Sequence, residues 1–210
     1  MPAGPASIGP LLDLLDLAGV AVFSASGALL AARKGQTLVT FIFFAVVTGV
    51  GGGTARDLLI GAPVFWIEEN VTLLICIIAA LLVWVMPARL WKGRALLWFD
   101  AVGLAAYATY GAAKGLAFGV APIPAIGMGV LTACLGGIIR DVLAGDPSIL
   151  MRAELYVTAA ALSAALMVAL LLLGLAPTAA GALAAVAGFA LRAGAIRYGW
   201  KLPAYRRGAA

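Results

Sequence analysis

Seven long apolar stretches occupy most of this chain and leave only short segments between them. About 20 apolar residues is the length that an α-helix needs to cross the hydrocarbon core of a bilayer. Of the 210 residues, 64% are apolar and only 11% are charged, whereas a soluble domain usually carries about 25% charged residues. The sequence therefore predicts an all-α membrane protein with one transmembrane domain over residues 1–210. The seven predicted helices cover residues 11–32, 37–60, 71–86, 96–114, 122–143, 153–175 and 178–196.

Lys and Arg residues divide unevenly between the two sides if the helices cross the membrane in turn. Twelve fall on the side of the C-terminus and two, Arg56 and Lys114, on the other. Because cytoplasmic loops carry the excess of basic residues, we expect an inner-membrane protein surrounded by lipid, with the N-terminus outside and the C-terminus in the cytoplasm. The net charge of +5 then reflects topology and does not indicate a nucleic-acid partner. The twelve are Arg33, Lys34, Arg89, Lys92, Arg94, Arg140, Arg152, Arg192, Arg197, Lys201, Arg206 and Arg207.

The chain contains an internal repeat: residues 16–63 align without a gap on residues 100–147. Each copy belongs to a unit of three predicted helices, at about 11–86 and 96–175, and the seventh helix follows at about 178–196. Three is an odd number, so the second unit must enter the membrane from the opposite side. This predicts a 3+3 inverted repeat, an arrangement that places functional sites between the halves. The informative matches are Asp16/Asp100, Gly19/Gly103, Gly27/Gly111, Thr48/Thr132, Gly52/Gly136, Gly53/Gly137, Arg56/Arg140, Asp57/Asp141, Gly61/Gly145 and Pro63/Pro147.

Adjacent glycines lie inside the second and the fifth predicted helix. Glycine costs about 1 kcal/mol per position in a helix interior relative to alanine, and neighbouring glycines favour a kink or an unwound turn. We therefore expect both helices to be broken there, which would leave backbone carbonyls free to bind a dehydrated cation. The alternative is that the glycines only allow close helix packing. The residues concerned are Thr48, Gly51, Gly52 and Gly53 in one helix and Thr132, Gly136 and Gly137 in the other.

An Arg-Asp pair follows each set of glycines, as Arg56-Asp57 and as Arg140-Asp141. A charge in the hydrocarbon core costs at least about 2.5–3.5 kcal/mol, so these side chains need partners. Neighbours in sequence point to different helix faces, so we expect each arginine to pair with another helix or the other repeat rather than with its adjacent aspartate. Two roles remain open: structural ion pairs between the halves, or charges that shape the potential at two pore mouths and rearrange on gating.

Three further charged residues lie in the first and fourth predicted helices. Asp16 and Asp100 lie near the starts of their helices, where a carboxylate stabilises the positive helix end; the alternative is a vestibule that attracts cations. Lys114 lies at the end of the fourth helix, where its side chain would extend to the lipid headgroups or take part in gating. Four polar side chains in apolar helices could line a wet path or hydrogen-bond to one another: Ser24, Ser26, Tyr107 and Tyr110.

The segments GGGTARDLLIGAPVF and GGIIRDVLAGDPSIL resemble the paired signatures of the trimeric intracellular cation (TRIC) channels, in particular their prokaryotic branch. That branch has also been labelled glycine-transporter-like, or an uncharacterised membrane family. The resemblance implies a homotrimer with one pore per protomer, lined by the second and fifth helices, that conducts K⁺ and, less selectively, Na⁺. We expect no cofactor and no resident metal ion, only transient binding of K⁺ and Na⁺.

Two functions from different classes remain after the residues are considered. One is the cation channel, and the alternative is a secondary transporter of a small solute such as glycine, since broken helices in inverted repeats are common in such carriers. An intramembrane enzyme is disfavoured, because the chain has no His and no Ser or Cys is accompanied by a plausible base.

Overall fold

The computed structural model describes residues 10–87, 94–151 and 154–203. These residues form eight α-helices, a 3₁₀ turn at Ile149–Met151 and one isolated β-bridge between Glu154 and Lys201. The helices are α1 (Pro10–Arg33), α2 (Leu38–Ile60), α3 (Phe65–Glu68), α4 (Asn70–Val85), α5 (Ala95–Ala117), α6 (Pro122–Leu143), α7 (Val157–Leu172) and α8 (Pro177–Tyr198).

Each of the seven predicted stretches overlaps one helix of 16 residues or more, and the one-turn helix α3 is an addition that hydropathy did not indicate. Local sequence explains several of the helix ends. The side chain of Thr37 accepts a hydrogen bond from the backbone N–H of Thr40 at 3.5 Å, as expected of an N-cap. Pro122 and Pro177 stand in the first turns of α6 and α8, where a missing backbone N–H costs nothing.

Four of these helices, α1, α2, α6 and α8, are long and apolar enough to cross a membrane. The apolar helices α4 and α7 have 16 residues each. Helix α5 has 23 residues but carries Asp100 and Lys114. It packs against α1, α6, α7 and α8, and most of its residues are buried. Because α5 is surrounded largely by protein, it can carry these two charges.

Helices α1 and α5, the first helices of the two repeats, pack in a reciprocal way. A Cβ atom added to Gly19 would lie 2.3 Å from the ring of Tyr107, and one added to Gly103 would lie 2.9 Å from the ring of Phe23. Position 19 thus contacts position 107 while position 23 contacts position 103. The two helices therefore run in opposite directions and exchange equivalent contacts, as a two-fold axis requires.

Helices α2 and α6 cross in the same reciprocal way, and their glycines form the crossing. A Cβ on Gly52 would lie 2.0 Å from the carbonyl oxygen of Thr132, and a Cβ on Gly136 would lie 2.3 Å from that of Thr48. These helices too are antiparallel, in agreement with the predicted inverted repeat. The glycines are kept small because each faces a backbone carbonyl of the other half.

The predicted breaks in these two helices are not confirmed. Helix α2 continues as α-helix through Gly51, Gly52 and Gly53, and α6 does so through Gly136 and Gly137. Of the two alternatives, a broken helix or close helix packing, the second describes these glycines. The close packing compensates for the low helix propensity of glycine. The carbonyls of Thr48 and Thr132 therefore face the opposite helix and do not line an unwound turn.

The turns that end α2 and α6 are also alike. Gly61 and Gly145 have positive φ angles of 68° and 70°, a left-handed conformation in which glycine avoids the strain of a side chain. The next N–H group closes each turn in the same way: Ala62 donates to the carbonyl of Asp57, and Asp146 donates to that of Asp141, both at 2.9 Å. The Gly and Pro matches of the repeat thus fix a common turn after each Arg-Asp pair.

Candidate functional site

The carboxylates of the two Arg-Asp pairs stabilise the turns that follow them. One oxygen of Asp57, Oδ2, accepts a hydrogen bond from the backbone N–H of Phe65 at 3.2 Å. The equivalent oxygen of Asp141 accepts from the N–H of Ile149 at 3.1 Å. Both aspartates are buried, and each satisfies a backbone donor of the turn that would otherwise lack a partner.

Each arginine bonds to its own neighbouring aspartate, which corrects the prediction that it would not; Arg140 also bonds another helix and the other repeat, as predicted. Arg56 Nε donates to Asp57 Oδ1 at 2.8 Å, and Arg140 Nε donates to Asp141 Oδ1 at 2.9 Å. The two side chains start from different helix faces, but they meet because the arginine side chain is long enough to fold back along the helix. The aspartate also cannot turn away, since its second oxygen is held by the backbone of the following turn.

The cluster that contains Asp100, Arg140 and Asp141, called here the second cluster, is extensively hydrogen-bonded. The Nη1 and Nη2 atoms of Arg140 donate to the two oxygens of Asp100 at 2.7 and 3.0 Å, and Nη2 also bonds Asp141 Oδ1 at 2.8 Å. Ser26 Oγ donates to Asp100 at 2.7 Å and accepts from Arg140 Nη1. Asp100 and Arg140 are each 1% exposed, and bidentate pairing of this kind is among the strongest in proteins.

The cluster that contains Asp16, Arg56, Asp57 and Lys114, called here the first cluster, is bonded differently. Arg56 is completely buried, yet its Nη1 and Nη2 atoms have no hydrogen-bond partner within the described ranges. Its guanidinium carbon lies 5.1 Å from the ring centre of Tyr110 and 5.9 Å from that of Phe65. Contacts of a cation with aromatic faces offset part of the cost of burial, but they do not replace two hydrogen-bonding partners.

Lys114 belongs to the first cluster and does not extend to the headgroups, so the prediction of an outward-pointing side chain is wrong. Its ammonium group lies 2.9 Å from Asp57 Oδ1 and 5.9 Å from the ring centres of Phe65 and Phe118. A buried carboxylate at that distance attracts the ammonium more strongly than the interface does. The second repeat thus contributes a lysine to the ion pairs of the first.

Asp16 and Asp100 differ although they match in sequence. Asp100 lies five residues after the first residue of α5, and Arg140 and Ser26 bind its oxygens, so it does not stabilise a helix N-terminus. Asp16 is half-buried and interacts electrostatically with Arg56 and Lys114. Throughout the described residues, no basic side chain lies within ion-pair distance of the Asp16 carboxylate.

The two clusters lie on opposite sides of the α2–α6 crossing. Arg56 follows Gly52 by four residues and Arg140 follows Gly136 by four, on helices that run in opposite directions. At 1.5 Å per residue, the two arginines are separated by about 18 Å along the helix axes. The contact between α2 and α6 from one cluster to the other is called the seam below.

The matched threonines of the seam also differ. Thr132 Oγ1 donates to the carbonyl of Met128 at 2.6 Å, whereas the buried Thr48 Oγ1 has no partner inside the described ranges. Each hydroxyl stands against a glycine of the neighbouring helix, Gly111 and Gly27 respectively. The less completely satisfied polar groups of the seam therefore belong to the first repeat.

The other polar side chains that could have lined a wet path are mostly bonded between helices. Ser24 donates to Cys76 Sγ at 3.1 Å and Tyr107 donates to the carbonyl of Gly49 at 2.7 Å. Tyr110 lies against the guanidinium of Arg56.

Arg192 is a buried charged residue whose role the sequence did not reveal. It bonds Glu154 at 2.7 Å and its guanidinium carbon lies 5.3 Å from the ring centre of Tyr156. This ties α8 to the segment before α7. The signal that was available is its position one helical turn after Gly188, where the absence of a side chain admits Ser163 of α7.

Several of the basic residues that predicted the orientation do not lie in described loops, and the orientation itself stays a prediction. Arg56, Arg140 and Arg192 are buried within helices, so they do not report which loops face the cytoplasm. Arg89, Lys92, Arg152, Arg206 and Arg207 lie outside the described residues.

Comparisons with known proteins agree with this architecture. A protein-family model described as "Glycine transporter" matches twice, over residues 13–88 and 97–172, two stretches that begin 84 residues apart. The fold matches the crystal structure of a TRIC trimeric intracellular cation channel orthologue from Rhodobacter sphaeroides with a TM-score of 0.83 and 42% identity, over 90% of this chain and 98% of that one. The chain belongs to the TRIC family.

Other members resemble this chain over most of its length. A prokaryotic TRIC channel solved in 0.5 M KCl has a TM-score of 0.82 and 29% identity, over 91% of this chain and 98% of that one. The UPF0126 membrane protein of Vibrio cholerae is 37% identical over 93% of this chain and 83% of its own length. The UPF0126 inner membrane protein YadS of Escherichia coli is 40% identical over 71% of this chain and 73% of its own. The solved TRIC relatives are channels and not enzymes.

Proposed function

We propose that this chain is a channel for monovalent cations, K⁺ and less selectively Na⁺, with one path in each protomer of a homotrimer. The observation that carries the proposal is the two-fold arrangement of charged clusters at the ends of one seam, in a fold shared with solved cation channels. Charged groups at the ends of a narrow passage shape the potential that a permeating cation meets there. The ions bind only transiently, and neither a cofactor nor a resident metal takes part.

The path runs along the seam, lined by α2 and α6. Thr48, Thr132 and the matched glycines form its narrowest part. A Cβ added to Gly52 or Gly136 would lie only 2.0 or 2.3 Å from a carbonyl oxygen of the other helix, so no ion fits between the two helices at this point. The conformation described is therefore closed at the crossing, and conduction requires α2 and α6 to separate there.

Every described helix except the one-turn α3 crosses the inner membrane in turn, so that the N-terminus is outside and the C-terminus is in the cytoplasm. The apolar character of the helices and the names of the relatives support the membrane location. The short helices α4 and α7 cross with their flanking segments, and the enclosed helix α5 crosses shielded by its neighbours. The two halves, together with α8, form a single domain.

A flux assay on purified protein in liposomes tests this function. Liposomes loaded with K⁺ and placed in K⁺-free buffer should lose K⁺ rapidly and without saturation, and the loss should be absent from empty liposomes. Glycine uptake that saturates and depends on an ion gradient would instead identify a secondary transporter. Absence of K⁺ loss from correctly assembled protein would contradict the channel.

A further inference from the structure

We propose that Asp16 supplies the negative charge that draws permeating cations to one end of the seam, whereas its repeat partner Asp100 acts only as a structural ion-pair partner. This inference rests on the proposed channel function and adds to it a residue that determines conductance. It assigns different roles to two aspartates that the sequence repeat makes equivalent.

The first step is the state of the two carboxylates. Both oxygens of Asp100 are bonded to Arg140, one of them also to Ser26, and the residue is 1% exposed. The bidentate guanidinium compensates the charge of this carboxylate at direct contact. Asp16 is half-buried, and among the described residues no side chain forms an ion pair with it. Arg56 and Lys114 act on its charge without direct contact, so its carboxylate is open to a passing cation.

The second step is the guanidinium that could have covered Asp16. Arg56 and Asp16 occupy the repeat positions of Arg140 and Asp100, so the repeat would predict an ion pair between them. Yet the Nη1 and Nη2 atoms of Arg56, the atoms that bind the acid in the second cluster, are buried without a partner in the described part of the chain. A buried polar atom without a partner marks a place where the usual pairing has been prevented.

The third step is the residue of the first cluster that competes for Asp57, which is Lys114. Its ammonium takes Asp57 Oδ1 at 2.9 Å, so Arg56 contacts that oxygen through Nε alone. In the second cluster Nε and Nη2 of Arg140 both bind the equivalent oxygen of Asp141. The first repeat has Leu30 where the second has Lys114, so no such lysine competes for Asp141. Lys114 thereby holds Arg56 in a position that leaves Asp16 unpaired.

Unitary currents from single channels in planar bilayers test the role of Asp16 at two salt concentrations. At about 10 mM KCl the Debye length is about 30 Å, and at about 1 M it is about 3 Å. We expect Asp16→Asn to lower the unitary K⁺ conductance about twofold or more at the low concentration and by less than about 1.2-fold at the high one. Glu69→Gln, which removes an exposed acid after α3, is the matched control and should leave both conductances unchanged.

The other outcomes overturn the inference in distinguishable ways. Equal conductance of Asp16→Asn and wild type at low salt would remove Asp16 from the path. An equal loss in Glu69→Gln would show a general surface-charge effect, and an equal loss at both salt concentrations would rule out attraction at a distance. A wild type without current would contradict the channel itself and this inference with it.

Two further variants separate conductance from folding. Asp16→Glu keeps the charge and should retain wild-type conductance, while Asp16→Ser is a second neutral variant that should reproduce the low-salt loss. If both neutral variants fail to assemble while Asp16→Glu assembles, Asp16 is a structural residue and the proposal is wrong.

Discussion

At one end of the seam, Arg140 binds two aspartates and a serine. At the other end lies Arg56, which occupies the equivalent position of the repeat. It binds one aspartate, and two of its nitrogen atoms have no partner among the described residues. The turn that follows each arginine is nevertheless the same. In both, Oδ2 of the aspartate accepts a hydrogen bond from the backbone N–H of the residue eight positions after that aspartate. The repeated motif thus fixes the turn, and the residues around it decide what each arginine does.

Two pairs of repeat-equivalent positions outside the motif account for the difference. Ser26 bonds both partners of the second cluster, while its repeat equivalent Tyr110 offers the face of its ring to Arg56. Lys114 adds a positive charge to the first cluster where the other repeat has Leu30. Equal motif residues therefore do not imply equal roles in the two halves of an inverted repeat.

Removal of each arginine should have the largest effect and should separate the two clusters. Arg140→Met leaves Asp100 and Asp141 buried without a cation, and we expect it to lower the free energy of unfolding by about 3–5 kcal/mol. Arg56→Met should cost only about 1–2 kcal/mol, because Lys114 still compensates Asp57. Denaturant unfolding in detergent micelles measures both, and equal losses would mean that the clusters are energetically alike.

The sequence alone predicted a helical membrane protein with an internal repeat, because hydropathy and matched Gly, Arg, Asp and Pro residues report burial and backbone geometry directly. It could not decide what the glycines do. Adjacent glycines permit an unwound turn and a close approach equally, and only the Thr48 and Thr132 carbonyls opposite them settle the matter. The positions of Lys114 and Arg192 were missed because a long cationic side chain can reach either the interface or a buried carboxylate.

The glycine crossing should tolerate side chains equally poorly on its two sides, since the contacts are reciprocal. We expect Gly52→Ala and Gly136→Ala each to lower the free energy of unfolding by about 2–3 kcal/mol, because the new methyl group overlaps a carbonyl oxygen. Gly127→Ala is the matched control in α6: its Cβ would have no atom within 4 Å, so it should be neutral or stabilising by up to about 1 kcal/mol. A destabilised Gly127→Ala would show that alanine in these helices costs stability for some other reason than contact.

The threonines of the seam should show the smallest difference between the halves. Thr132→Val removes the hydroxyl that donates to Met128 and should cost up to about 1 kcal/mol, whereas Thr48→Val removes a buried hydroxyl without a partner in the described ranges and should be neutral or slightly stabilising. The same unfolding experiment compares them, and the reverse order would contradict the assignment of the unsatisfied groups to the first repeat.

The current through purified protein in a planar bilayer with a KCl gradient tests most directly whether the space between the two halves conducts cations. We expect discrete unitary currents whose reversal potential shifts toward the K⁺ equilibrium potential. When NaCl replaces KCl on one side, we expect a smaller shift, because Na⁺ also permeates. A reversal potential that stays at zero or shifts toward the Cl⁻ equilibrium potential would contradict it, as would the absence of unitary currents from assembled protein.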